Sequence, residues 1–234
     1  MLDSDVMINS KARYKEYKKA DIIAYSVYPT TKGVLRALLF NRCYRFSRVL
    51  RRYEYVLNCK KGLIGKIEKV FVSLYFRHLS VKLCYNVPPN VLSPGCCLHA
   101  YGPILINKGS KIGENARIHV GVHLGTGAGY ANAAPKIGAN CYLGPGVKMF
   151  GDITICDGTA VGANAVVNKS CEKPNVLLAG IPAVVKKEGI DSLEYIVPAT
   201  LVAKLDKKEQ IQLYHKPSLV VRQYLQEKGY LPSR

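Results

Sequence analysis

The 234-residue chain has no Trp, three Met and five Phe, and its 34 Lys and Arg meet only 16 Asp and Glu. The formal charge is +18, yet 48% of the residues are hydrophobic, enough for packed domains and too many for a chain disordered as its main state. No run of 18 or more apolar residues occurs, which argues against a membrane-spanning helix. The start, Met1 to Asp5, is acidic and lacks the basic segment and apolar core of a signal peptide, so a cytoplasmic location is expected. The eight cysteines form no C-x-x-C pair and meet no His at zinc-knuckle spacing, so reduced structural thiols are expected. No RNA-binding aromatic motif, helix-turn-helix or zinc finger accompanies the basic charge, and nucleic acid is not an expected partner.

The charge is unevenly placed. Residues 1–86 carry 18 basic and 6 acidic groups, 87–186 carry 8 and 4, and 187–234 carry 8 and 6. The excess therefore belongs to the first third of the chain.

A period of six organises the middle. From Ile137 the chain reads IGANCY, LGPGVK, MFGDIT, ICDGTA, VGANAV, VNKSCE, so that Ile137, Leu143, Met149, Ile155, Val161 and Val167 recur every six residues. Small or apolar residues, among them Cys141, Val147, Thr159 and Ala165, stand four further on. Upstream, Ile106, Ile112, Ile118 and Leu124 keep the same frame. Neither a helical period nor strict alternation explains these leaders. A hexad with an aliphatic leader, a following Gly and a small fourth follower suits a triangular coil in which each hexad is a short strand and a turn. The leaders then stack inward about 4.8 Å apart, as in any strand ladder. Gly113, Gly138, Gly144 and Gly162 are placed where a corner needs a positive φ or a close backbone approach. Between Leu124 and Ile137 the frame slips, 13 residues rather than 12, and a Gly-rich loop is expected to leave the coil there and line a groove.

Residues 11–86 read as helices. Leu35, Leu39, Cys43, Phe46, Leu50 and Tyr53 make one apolar stripe, with Arg45, Arg48, Arg51 and Arg52 opposite. That arginine face is open to three readings: a solvated surface, a contact with anionic membrane, or a contact with another subunit or protein. A second stripe, Ile64, Ile67, Phe71, Leu74 and His78, reads as packing, with His78 a packing histidine. The tail 187–234 looks helical and carries no chemical motif.

These features together resemble the serine acetyltransferase branch of the left-handed β-helix acyltransferases: a basic helical region, a hexapeptide coil, a Gly-Thr loop before Pro135-Lys136-Ile137, and the closing Leu178-Ala179-Gly180-Ile181-Pro182-Ala183. VPPN (87–90), YGPILIN (101–107), IGENARIHVGVHLGT (112–126) and VGANAVVNKS (161–170) look most like the members associated with bacterial surface polysaccharide synthesis. The resemblance implies an α+β fold: a helical N-terminal domain (1–86), a left-handed parallel β-helix (87–186) and a helical C-terminal tail (187–234). It implies a homotrimer that uses acetyl-CoA as co-substrate, with no metal, and transfers acetyl directly to the hydroxyl of serine or a sugar. It places Gly144, Pro145, Gly162 and Ala163 along the pantetheine arm, Gly125 and Thr126 near the thioester, and Ala179, Gly180, Pro182 and Lys186 by the adenine and phosphate end.

Alcohol attack on a thioester needs a general base, and His has the pKa for it. In the family pattern that His directly precedes the aromatic-Gly pair, where this chain has Ala100, with His99 one residue earlier. A one-residue shift on a strand turns a side chain to the other face. Two readings follow: His99 serves as the base through a local bulge, or the chain is an inactive trimeric scaffold that lost its base at position 100. The loop His of the family pattern falls on Ala134, its Arg on Ala133 and its carboxylate on Cys84. His119 is the second catalytic candidate. His123 is a weaker one, and the spacing of His99, His119 and His123 does not match the three-histidine zinc site of carbonic anhydrases built on this coil. Cys96 and Cys97, close to His99 in sequence, leave a thiol nucleophile as an alternative to direct transfer.

Overall fold

The computed structural model describes residues 7–129 and 133–232; the acidic start and the loop residues Tyr130, Ala131 and Asn132 lie outside them. Four helices come first: α1 (Lys11–Ala24), α2 (Thr31–Phe40), α3 (Arg42–Cys59) and α4 (Gly62–Leu83). The stripe read through Leu35 to Tyr53 is broken at Asn41, whose side chain accepts from the Tyr44 amide at 3.0 Å and so starts α3 afresh. Only the α3 part of the stripe packs. Cys43, Phe46 and Leu50 are buried, while Leu35 and Leu39 on α2 are 59% and 60% exposed.

The arginine face needs a larger correction. Arg51 is 1% exposed. Its guanidinium donates to Asp21 of α1 (3.0 Å), to Glu54 (3.1 Å) and to the backbone oxygens of Leu92 (2.7 Å) and Ser93 (2.9 Å). Asp21 also accepts from Ser47 and from the Gly95 amide, and Glu54 accepts from the Asn90 amide. Arg51 is thus an internal clamp between the helices and the first turn of the coil. Burial raises the Glu54 carboxyl, and Arg51 and the Asn90 amide pull it back. Arg45 caps the α2 carbonyls of Leu38 and Leu39, Arg48 lies against the Tyr44 ring, and Arg52 pairs with Glu68. Arg45, Arg51 and Arg52 tie α3 to α2, α1 and α4, and Arg48 packs within α3; the four do not form a free docking face.

Cys84, at φ 57°, ends α4, and the coil starts with Tyr85–Asn86, two residues before the boundary drawn from sequence. Three stacks of short parallel strands make a triangular prism. The first face carries Tyr85–Asn86, Ile104–Ile106, His123–Gly125, Lys148–Phe150 and Val166–Val167; the second carries Lys111–Ile112, Lys136–Ile137 and Thr154–Ile155. The third carries Cys97–His99, Arg117–His119, Tyr142–Leu143, Ala160–Val161 and Val176–Gly180, closed by the antiparallel Ala183–Glu188. All ten hexad leaders are buried, and so are the residues four further on, except the exposed Ala128 where the loop leaves the coil after Leu124.

The glycines after the leaders serve close approach, not positive φ. A Cβ on Gly113 would stand 2.5 Å from the backbone of the next coil. The left-handed corners, three residues after a leader, are shared by Asn115, Asn140 and Asn164, with φ of 54–58°, and Gly121, Gly146 and Gly158, with φ of 69–80°. The loop is also longer than the sequence suggested. Ile112 pairs with Ile137 and Leu124 with Met149, 25 residues apart, whereas Leu143 and Val161 pair at 18. Seven residues, not one, are extruded.

The tail folds into α5 (Ala199–Val202), α6 (Lys207–Gln212) and α7 (Ser218–Glu227), with its own small core of Val202, Leu205, Leu213, Val221 and Leu225. The core of the N-terminal helices is continuous with that of the coil.

Candidate functional site

On the third face the positions that follow the inward leaders point outward in one column. The register places His99 beside His119, and Leu98, Ile118, Leu143, Val161 and Leu178 stack inward, so the column continues through Gly144, Gly162 and Ala179. Two imidazoles therefore head a trough without large side chains. The glycines are also demanded by stacking, since a Cβ on Gly144 would meet Val161 O at 2.8 Å. Pro145 and Ala163, both exposed, turn the adjoining corner. Gly180 and Pro182 form the hairpin turn at the far end, and the exposed Lys186 lies on its returning strand.

The His99 and His119 rings are 4.7 Å apart, and Tyr142 and Tyr195 extend the aromatic line, Tyr195 reaching over from the tail. Arg117 points to the same side as His119, two residues along its strand, and its guanidinium stands 3.3 Å from His99 Nδ1. Its Nε and the His119 Nε2 are buried without a hydrogen-bond partner. Burial, then the Arg117 charge, lowers the pKa of His99. Burial, then His99 and Arg117, lowers that of His119 to about 4. Both rings are neutral at pH 7, the state a proton acceptor needs. Among the described residues no carboxylate is hydrogen-bonded to either ring. Arg117 went unnoticed in the sequence, although its i, i+2 relation to His119 was a legible signal.

The remaining candidates lie elsewhere in the chain. Gly125 and Thr126 are on the first face, with His123, Asn86 and Phe150 around a cavity of about 230 Å³. The His123 pKa is lowered, by burial and then by Lys148. His123 is thus across a corner from the other two histidines, and among the described residues no three His, Cys, Asp or Glu side chains gather as a metal site. Burial pushes the Cys96 and Cys97 thiols up to about 12, so neither offers a thiolate at neutral pH. A cleft of about 930 Å³ between α1, α2 and the α5–α6 segment contains none of these residues.

Ala100 occupies the corner after His99 with φ 65°, and its carbonyl accepts from Tyr85 Oη. A left-handed alanine costs about 1 kcal/mol. Ala100→Gly is therefore expected to raise stability by about 0.5–1 kcal/mol, read as a higher urea midpoint at unchanged slope.

With this geometry in hand, known proteins supply a comparison. A 93-residue stretch is 38% identical to a serine acetyltransferase of Staphylococcus xylosus, covering 39% of this chain and 42% of that protein. A 94-residue stretch is 36% identical to the Staphylococcus aureus serine acetyltransferase, covering 39% and 43%. Among solved structures, the serine acetyltransferase of Brucella abortus superposes with a TM-score of 0.59 at 24% identity over 79% of this chain and 73% of that one. The soybean serine acetyltransferase apoenzyme gives 0.59 at 22% identity over 75% and 69%. The fold is that of the serine acetyltransferases. The triangular prism is accordingly a left-handed parallel β-helix, preceded by a helical region and followed by a helical tail. The chain spans about two fifths of the length of the curated relatives it matches, and no family model matches it.

Proposed function

We propose that the protein is an acetyl-CoA-dependent O-acetyltransferase that passes acetyl directly to a hydroxyl acceptor, serine or a sugar, and that His99 is its base. The observation that carries this reading is the outward column on the third face, with two neutral imidazoles at the head of a trough of Gly144, Gly162 and Ala179. A related structure, the Brucella abortus serine acetyltransferase in complex with coenzyme A, has the same fold, with a TM-score of 0.59 at 24% identity.

The acceptor hydroxyl takes the place of the Arg117 contact at His99. Its proton points to Nδ1 and its oxygen accepts from the guanidinium. The thioester supplies the activated acetyl group. As the acceptor oxygen bonds to the acetyl carbon, His99 takes the proton at Nδ1, and it returns the proton to the CoA sulfur when the thioester bond breaks. His119 packs against His99 and holds its ring in place.

Gly125 and Thr126 lie on the first face, so one chain does not bring them to the histidines. A homotrimer in which the third face of one copy meets the first face of the next supplies both walls. Gly144, Pro145, Gly162 and Ala163 then line the pantetheine side, and Ala179, Gly180, Pro182 and Lys186 the phosphate end. A cytoplasmic enzyme in surface polysaccharide synthesis is consistent with this reading.

The test is release of free CoA from acetyl-CoA with serine and with a panel of sugars. Removing the Arg117 cation lets the His99 pKa rise towards its ordinary value of 6.5. Arg117→Ala should therefore move the acid limb of the pH–rate profile to higher pH and raise the acceptor KM. An unchanged limb would remove His99 from the role of base.

A further inference from the structure

The second apolar stripe read from the sequence is not core. α4 touches the rest of the protein along a narrow seam that includes Gly65, Leu79 and Leu83. At 3.6 residues per turn the opposite side of the helix carries Ile64, Ile67, Val70, Phe71, Leu74 and Val81, all between 51% and 80% exposed. His78, expected to pack, is exposed on the same side beside Tyr75. Lys66, Lys69 and Arg77 run along one edge of the stripe, and Lys61 and Lys82 stand at the other. An apolar stripe of this extent facing outward marks a contact surface.

We propose that this face of α4 docks on an anionic lipid bilayer. Charge decides the occupant. Residues 29–86 hold 13 Lys and Arg and two acidic groups. Both acids are spent internally, Glu54 on Arg51 and Glu68 on Arg52 and Lys60. A second copy of the same face would set cations against cations with no free carboxylate to pair them. A bilayer with anionic headgroups supplies hydrocarbon for the stripe and negative charge for its rim. Among the described residues no helix is long and apolar enough to cross a membrane, so α4, about 33 Å long, lies in the interface plane.

Flotation of the full chain with vesicles tests this. The protein should float with phosphatidylcholine vesicles that contain phosphatidylglycerol, at least ~10-fold more weakly with phosphatidylcholine alone, and less as salt is raised. Ile67→Glu/Phe71→Glu should abolish flotation, with circular dichroism and sedimentation mass unchanged. Lys66→Gln/Lys69→Gln/Arg77→Gln, all at exposed positions, should remove most of the phosphatidylglycerol-dependent part. Failure to float with either vesicle overturns the proposal, as does equal flotation with both. A lower sedimentation mass for Ile67→Glu/Phe71→Glu also overturns it and assigns the face to contact between copies.

Discussion

Arg51→Met is expected to destabilise the protein by about 3–5 kcal/mol, seen as a much lower urea midpoint at unchanged slope. The guanidinium holds two carboxylates, Asp21 and Glu54, that are themselves fully buried, and it satisfies two backbone oxygens in the first turn of the coil. Methionine fills much of the volume but leaves those acids desolvated and uncompensated. The penalty comes from the stranded charges, so removing the whole set should cost less. Arg51→Met/Asp21→Asn/Glu54→Gln should recover a large part of the loss, because a buried ion network and a neutral set of similar volume are often close in energy. A loss below about 1 kcal/mol for Arg51→Met would show that the clamp contributes little.

His99→Ala is expected to lower kcat/KM for CoA release by about 10²–10⁴-fold, the range for loss of a general base, with the sedimentation mass unchanged. His99 meets the guanidinium of Arg117 through Nδ1, and burial together with that cation lowers the pKa of the ring and favours its neutral form. The acid limb of the wild-type rate should therefore lie below the ordinary imidazole value of 6.5. Full activity in His99→Ala would remove this residue from the chemistry. If the wild-type chain is inactive and Ala100→His alone releases CoA, the protein is a scaffold whose base is missing at the left-handed corner.

Much of the coil was legible. Ile106, Ile112, Ile118 and the leaders after them announce one inward position every six residues, because each short strand repeats the same local demand for an aliphatic side chain. The candidate site was legible to a smaller extent. His99 and His119 could be named, but only register on the third face shows that they are neighbours and that Gly144 and Gly162 continue their column. Arg117 carries no motif of its own in the sequence; only its spacing from His119 puts the two on one side of a strand.

The helices show where periodicity misleads. Ile64, Ile67, Phe71 and Leu74 have the spacing of a packed stripe, yet they face outward, while Arg51, a cation in a basic run, is among the most buried side chains of the molecule. A helical period says which residues share a side and nothing about what that side meets. The sequence by itself determined the parallel coil, since six-residue spacing is local and survives any arrangement of its surroundings. Only the tertiary structure decided which stripe is core, which arginine is a clamp and which loop residues fall on another face. Those outcomes depend on partners such as Asp21, Leu92 and Ser93, far from Arg51 in the chain and brought to it by packing alone.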